Sequence, residues 1–193
     1  MKEIFLENKK NETTAELLEP VLRSIKQKAL SLIKPTEDKD WLISSLRESS
    51  HIENIVAQMA HVDGGQEFVL QELVKEAPEL RWYRGGTLRK FRDSISQNNF
   101  QYFSPEQLET FVIDGGANGV LGRKELAVAY LEKTPRDHPV LYTVSLEEML
   151  TGLKAKAIRL VTEHGYDLRI IEGEDRKAYI GFCRKHLNIE EVN

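Results

Sequence analysis

The spacing of apolar residues changes near Pro78, and this change limits the folds open to the chain more than any other feature. Before Pro78, apolar residues recur every three or four positions, as on one face of amphipathic helices. From Leu80 onward, short apolar and aromatic runs alternate with helical stretches. The sequence therefore predicts an α+β protein, with a helical N-terminal lobe over residues 1–78 and, over residues 79–193, a small mixed or antiparallel β-sheet domain with flanking helices.

Helix-start signals support the helical interpretation of the lobe. Thr13–Glu16 and Ser50–Glu53 both fit the capping box, in which a hydroxyl and a carboxylate three residues apart satisfy free N–H groups at a helix start. Asp63-Gly64-Gly65 and Pro78 predict helix ends. The lobe is thus predicted to contain four helices, over residues 18–33, 41–46, 52–60 and 68–77.

The second part opens with two predicted strands. Residues 80–83 suit a short strand, and Arg84-Gly85-Gly86 predicts a tight turn that ends it. Residues 100–103 suit the next strand, and Ser104-Pro105 predicts a helix start directly after it. Downstream, the pattern predicts a glycine-rich loop at 114–122, strands at 140–144 and 166–171, and helices at 123–133, from Ser145, at 154–164 and at the C-terminal end.

The composition is that of a soluble globular protein. Of the 193 residues, 40% are hydrophobic and 30% are charged. There is no apolar run as long as a transmembrane helix, and residues 1–12 do not resemble a signal peptide. We therefore expect the protein to be cytoplasmic, or delivered by a route without a classical signal peptide. The single cysteine, Cys183, excludes an internal disulfide and is expected to be a small buried side chain.

Charge is divided unevenly along the chain. The net charge of −4 resides in residues 1–78, whereas residues 79–193 are neutral and hold most of the arginines. Because a guanidinium binds phosphate and carboxylate through two parallel hydrogen bonds, this distribution favours an anion site in the second part. Neither part is net basic, so nucleic acid is not favoured as a partner.

Several common site motifs are absent. The five histidines have no metal-ligand spacing, and no metal site is expected. The stretch 114–122 matches neither the dinucleotide-binding fingerprint nor a Walker A loop, and no serine lies in a nucleophile elbow.

Four short segments nevertheless stand in a suggestive order. They are WYRG at 82–85, YFSP at 102–105, LAVAY at 126–130 before the strand VLYTV, and EGE at 172–174. In this order they resemble the ADP-ribosyltransferase superfamily, in the toxin-like and effector-like branch whose motifs run Arg-Ser-Glu. The resemblance covers only the second part of the chain, about 115 residues.

The resemblance implies an enzyme that uses NAD to transfer ADP-ribose to a macromolecular acceptor, with protein favoured as the acceptor. Glu174 would be the catalytic carboxylate, and Glu172 would prepare the acceptor. The resemblance assigns catalysis to Glu174, Glu172 and Ser104, and NAD binding to Arg84, Gly85, Tyr83 and Tyr130. In this assignment Arg84 holds the diphosphate, and Tyr83 or Tyr130 stacks on nicotinamide.

The residue types fit that chemistry. Cleavage of the bond between nicotinamide and ribose passes through an oxocarbenium-like state, which a nearby carboxylate stabilises. Each residue also has a simpler role: Ser104 as a helix cap, Arg84 as the partner of a carboxylate, and residues 172–175 as an acidic surface turn. The order of the motifs, rather than any one of them, favours the enzymatic interpretation.

Two other functions stay open. The protein could be a non-catalytic binding protein of the immunity or adaptor type, whose acidic helical lobe contacts a basic partner. Alternatively, the same fold could carry a different reaction at the phosphate site, such as removal of phosphate from a nucleic-acid end, although the chain shows no basic stripe.

Overall fold

A computed structural model of the chain describes residues 18–87, 118–133 and 139–191. Its helices are α1 at 18–32, α2 at Asp40–Glu48, α3 at Ile52–Gln58, α4 at Gly65–Glu76, α5 at Lys124–Lys133, α6 at Leu146–Lys154 and α7 at Arg176–His186, with short 3-10 helices at Glu37–Lys39 and Met59–His61. Its strands are β1 at Arg81–Thr87, β2 at Asn118–Leu121, β3 at Pro139–Ser145, β4 at Ile158–Val161, β5 at Leu168–Glu172 and β6 at Asn188–Glu191.

The strands form one six-stranded sheet in the order β4-β5-β2-β1-β3-β6, and every pairing among them is antiparallel. The predicted α+β class is confirmed. Among the helices of the described ranges, none is long and apolar enough to cross a membrane.

The strand register defines two faces of this sheet. Arg84 of β1 lies opposite Tyr142 of β3, Trp82 of β1 lies opposite Leu121 of β2, and Gly119 of β2 lies opposite Leu168 of β5. Because side chains alternate along a strand, Arg84, Tyr142, Leu168 and Glu172 project from one face, which we call the core face. α3, α6 and α7 supply buried residues against it. The opposite face is covered by α5, and we call it the α5 face.

The hydrophobic core is continuous from the helical lobe into the sheet. Ile55 of α3 and Leu70 of α4 belong to the same buried cluster as Trp82, Leu168 and Tyr179. The Trp82 indole also donates a hydrogen bond of 2.7 Å to the Leu168 carbonyl, across the intervening strand β2. Helices on both sides of Pro78 thus bury their apolar faces against one sheet.

The predicted turn at Arg84-Gly85-Gly86 is wrong. β1 continues without a break to Thr87, paired with β3 throughout. The two glycines are explained by close packing instead. A Cβ on Gly86 would lie 2.5 Å from the Tyr142 ring, and one on Gly85 would lie 2.7 Å from the Ala127 carbonyl of α5.

Two other predicted elements also differ. Part of the predicted loop 114–122 is strand β2, whose Gly119 leaves room for the Trp82 indole that lies over it. Residues 158–161, predicted to be helical, form strand β4, which pairs with β5 as a hairpin. β6 was not predicted and joins the edge of β3. The predicted elements at 13–16, 88–104 and 105–112 lie outside the described residues.

Of the helix starts predicted at Ser50 and at Ser145, only the one at Ser145 forms a capping box. The Ser145 hydroxyl accepts from the Glu148 N–H, and the Glu148 carboxylate accepts from the Ser145 N–H. At the start of α3, however, His51 is the cap residue and makes no side-chain cap bond. Glu53 accepts a 2.8 Å bond from the Leu121 N–H and pairs with Arg123.

Candidate functional site

Arg84 lies on one of the two innermost strands of the sheet. β1 is flanked by β2 and β3, and Arg84 is half-buried on the core face beside its cross-strand neighbour Tyr142. The strand therefore fixes the backbone of Arg84, with the Tyr142 ring opposite it on β3. In the predicted role, Arg84 would bind a phosphate from this position on the core face.

The segment Glu172-Gly173-Glu174 is held rigidly at the end of β5. The Gly173 N–H donates to the Ala157 carbonyl at 3.0 Å, and the Glu174 N–H donates to the Lys156 carbonyl at 2.9 Å. A Cβ on Gly173 would lie only 2.1 Å from the Lys156 carbonyl oxygen, so the backbone approach requires glycine. The two carboxylates are thus carried by an ordered backbone.

The two carboxylates have different surroundings. Glu172 is the last residue of β5, half-buried, and projects from the core face together with Leu168 and Ile170. Glu174 is exposed and forms a 3.0 Å ion pair with Lys156. Glu172 therefore shares a face with Arg84, whereas Glu174 is part of a surface ion pair.

Tyr179 of α7 is buried in the core and is sensitive to both charges. The charges of both Glu172 and Arg84 act on its hydroxyl. Burial raises the pKa of Tyr179 well above its usual range, Cys183 and Glu172 raise it further, and Arg84 opposes them. Tyr179 is 1% exposed, and its hydroxyl has no hydrogen-bond partner of regular geometry within the part of the chain that the structure describes. The phenol is therefore buried and protonated, and the thiol of Cys183 is its weak hydrogen-bond partner.

Tyr142 and Cys183 complete the buried surroundings. Burial raises the pKa of Tyr142, against a smaller lowering by Arg84, so that this phenol also stays neutral. Burial raises the pKa of the Cys183 thiol to about 12. Cys183 is buried, as the sequence predicts, and it remains a neutral thiol rather than a reactive thiolate at physiological pH.

The structure does not bring the two predicted stacking tyrosines to the Arg84 face. Tyr83 directly precedes Arg84 in β1, so its side chain projects from the α5 face. Tyr130 is on α5 itself and is 51% exposed. Gly85 also faces α5, where it makes room for Ala127 and Leu131. Ser104 lies outside the described residues.

The turn between β4 and β5 gathers three groups that could bind a cation. Oxygen or nitrogen atoms of Glu163, His164 and Asp167 lie within 4.8 Å of one another. Asp167 has a structural role, since its Oδ1 accepts bonds from the Thr162 hydroxyl and from the N–H groups of Glu163 and His164. His164, predicted to end a helix, lies instead in this turn.

Sequence reasoning missed Tyr142 and Tyr179. Each lies at the centre of an apolar pattern, VLYTV and the terminal helix, and such a residue is expected to be simple core. Only the strand register shows that Tyr142 lies beside Arg84, and only the packing of α7 shows that Tyr179 is buried in the same core.

Comparison with known proteins adds no relative. No protein-family model matches the chain, and no curated protein or solved structure matches it either.

Proposed function

We propose that this protein is an NAD-dependent ADP-ribosyltransferase that modifies a macromolecular acceptor. One observation carries the proposal: Arg84 on β1 and Glu172 on β5 project from the same face of one sheet. A cation that can hold a diphosphate and a carboxylate that can stabilise a cationic sugar thus lie on one face of the sheet, on regular strands.

In this proposal, Arg84 binds the diphosphate of NAD through paired hydrogen bonds. The bond between ribose C1′ and the nicotinamide nitrogen then breaks, and its electron pair leaves with nicotinamide. The carboxylate of Glu172 stabilises the positive charge that develops on the ribose. A nucleophilic atom of the acceptor forms the new bond to C1′ and releases its proton.

The geometry favours Glu172 over Glu174 as the carboxylate that faces the ribose. The family resemblance assigns the catalytic role to Glu174, but that side chain is 68% exposed and pairs with Lys156. A solvated, paired carboxylate stabilises a nearby cation less than one on a partly buried face. Glu174 would then contact the acceptor side of the reaction.

The test measures NAD binding by calorimetry and nicotinamide release by chromatography, with the full-length protein. Glu172→Gln should lower nicotinamide release at least about a hundredfold, since it removes charge stabilisation in the transition state. It should leave NAD affinity within about threefold. Arg84→Ala should weaken NAD binding about tenfold or more, because a charge-assisted phosphate contact is lost.

Two matched variants serve as controls. Glu174→Gln removes a carboxylate two residues away and should reduce release much less than Glu172→Gln. Arg169→Ala removes a guanidinium from β5 on the α5 face and should leave NAD affinity unchanged. The proposal is contradicted if the wild-type protein neither binds nor consumes NAD. A larger loss from Glu174→Gln than from Glu172→Gln would reverse the assignment of the two carboxylates.

A further inference from the structure

The turn between β4 and β5 contains a buried carboxylate oxygen that lacks a hydrogen bond. Asp167 is 5% exposed, and its Oδ1 accepts from the Thr162 hydroxyl and from two backbone N–H groups. Its Oδ2 is also buried, but no hydrogen-bond donor for it is found among the residues that the structure describes. Burial of a charged oxygen without a donor is costly unless a cation compensates it. Oδ2 therefore requires a positively charged partner.

The atoms around Oδ2 have the arrangement of metal ligands. Nδ1 of His164 lies 3.7 Å from Oδ2 of Asp167, and a carboxylate oxygen of Glu163 completes a set whose members all lie within 4.8 Å of one another. A distance of 3.7 Å is too long for an N–H···O hydrogen bond. It is close to the separation of about 3.0 to 3.5 Å between two atoms that each bind one metal ion at ~2.0 to 2.2 Å. The spacing of His164 and Asp167 thus fits a shared ion better than a direct hydrogen bond.

The surroundings orient these ligands. The three donors to Oδ1 hold the Asp167 carboxylate, so that Oδ2 stays directed toward His164. The His164 ring stacks on the Tyr166 ring, with centroids 5.5 Å apart. Hydrogen bonds and packing of this kind fix the ligands of protein metal sites. Glu163 is exposed, and its Oε2 makes a long contact of 3.5 Å with Nη1 of Arg169, so its side chain can turn toward an ion.

We propose that Glu163, His164 and Asp167 bind a divalent metal ion of the zinc class. One imidazole with two carboxylates suits Zn²⁺ and neighbouring transition metals, whereas Mg²⁺ and Ca²⁺ prefer oxygen ligands alone. Three protein ligands leave at least one coordination position for water or another ligand. The spacing of the three residues matches no common motif, so the sequence alone predicts no metal there.

The bound ion joins the end of β4 to the start of β5 and so stabilises this hairpin. The ligands come together only in the folded turn, so metal binding favours the folded state. The site uses neither Arg84 nor Glu172, and it does not rest on the proposed function.

Titration of the untagged full-length protein with Zn²⁺ tests the site. The protein is first treated with a chelator, and metal binding is then measured by calorimetry. Wild-type protein should bind one Zn²⁺ per chain with a dissociation constant below about 10 μM, and Mg²⁺ at least about a hundredfold more weakly. Saturating Zn²⁺ should raise the unfolding temperature.

Two variants each remove one ligand and leave the turn intact. His164→Ala keeps the backbone N–H that donates to Asp167, and Glu163→Gln keeps the size of an exposed side chain. Each should weaken Zn²⁺ binding at least about tenfold, with little change in the unfolding temperature of the metal-free protein. His61→Ala, which removes an exposed histidine of a 3-10 helix, is the matched control and should change neither quantity.

The results separate a metal site from a simpler role of the turn. Wild-type protein that binds Zn²⁺ more weakly than about 10 μM would overturn the proposal. Unchanged affinity in both His164→Ala and Glu163→Gln would also overturn it, because the ion would then be bound elsewhere. A loss of stability in His164→Ala that is the same with and without Zn²⁺ would show that His164 is only an ion-pair partner of Asp167. NAD affinity is measured separately, so failure of the metal site leaves the proposed function standing.

Discussion

Glu53 is a buried carboxylate whose partners come from another part of the chain. It is 2% exposed, its Oε1 accepts from the Leu121 N–H at 2.8 Å, and it pairs with the Arg123 guanidinium. Arg123 also donates to the Tyr166 carbonyl at 2.8 Å. Through these contacts a single side chain of α3 holds β2 and the β4–β5 turn in place.

We predict that Glu53→Ala lowers the free energy of unfolding by about 3 to 5 kcal/mol, as expected when one partner of a buried ion pair is removed. The substitution leaves the Leu121 N–H without an acceptor and Arg123 without its carboxylate. Glu53→Gln keeps an acceptor oxygen and should cost less. Urea unfolding measures both variants, with Glu19→Ala, an exposed glutamate on α1, as the control. A loss below about 1 kcal/mol for Glu53→Ala would contradict this role.

Glu53 also shows what sequence can determine at single residues. Ser50–Glu53 and Ser145–Glu148 have the same capping-box pattern, and only the second forms the capping box. The sequence pattern shows only that a capping box can form. Whether it forms depends on whether a residue distant in sequence competes for the carboxylate. Arg123, 70 residues away, competes for Glu53. Nothing near Ser50 in the sequence indicates this contact.

At the scale of elements, the β4–β5 hairpin is organised by one carboxylate. Asp167 is 5% exposed, and its Oδ1 accepts bonds from the Thr162 hydroxyl at 3.0 Å, the Glu163 N–H at 3.2 Å and the His164 N–H at 2.8 Å. Burial alone would raise the pKa of Asp167, but these hydrogen bonds to the ionised form outweigh it and lower the pKa.

This lowered pKa predicts a specific dependence of stability on pH. The unfolded carboxyl titrates near pH ~3.9 and the folded one below it, so the folded protein binds fewer protons. The contribution of Asp167 to stability is therefore complete above about pH 5 and is lost as the pH falls below ~3.9. Asp167→Asn should lower the free energy of unfolding by about 1 to 2 kcal/mol at pH 7, and the difference from wild type should shrink toward pH 3.

The measurement is urea unfolding of both proteins between pH 3 and pH 7. Glu163→Gln, which changes an exposed neighbour in the same turn, should alter stability by less than about 0.5 kcal/mol at pH 7. A difference between Asp167→Asn and wild type that stays constant over this range would show that the charge of Asp167 does not stabilise the turn.

The elements that were predicted correctly are those whose signal is local. α4, α5, β3 and α7 follow from apolar spacing, proline stops and caps, which act within a few residues. β4 was predicted as a helix because Ile158 and Leu160 fit either period in so short a run. The glycines of β1 were assigned to a turn because the sequence does not show that α5 and the Tyr142 ring press against them. Contacts of this kind are decided by packing between distant segments.

At the scale of the molecule, the candidate site depends on how the sheet and the helices share one core. The pairing registers of β1 with β2 and of β2 with β5 place Arg84 and Glu172 on a common face. The sequence predicts Arg84 and Glu172 as site residues, but their common face follows from long-range pairing. The core against that face includes helices from residues 18–78, which the sequence analysis assigned to a separate lobe.

A continuous core predicts that the chain unfolds as one cooperative unit. Leu70 of α4 is 0% exposed and lies in the same cluster as Trp82 of β1, which is 1% exposed. Leu70→Ala should lower the free energy of unfolding by about 2 to 5 kcal/mol, as truncation of a buried leucine generally does. If the core is shared, Leu70→Ala must shift the urea midpoint reported by Trp82 by the same amount as the midpoint reported by the helices.

The two tryptophans make this measurable. Trp41 is 52% exposed on α2, so Trp41→Phe leaves Trp82 as the only indole at little cost in stability. In that background, Trp82 fluorescence and far-ultraviolet circular dichroism should give coincident urea transitions, and Leu70→Ala should shift both to lower urea. Should Leu70→Ala shift only part of the dichroism signal and leave the Trp82 transition in place, the helical lobe would fold independently of the sheet. In that case unfolding of the helical lobe would not destabilise the strands that carry Arg84 and Glu172. The stability of the candidate site would then depend on residues 79–193 alone.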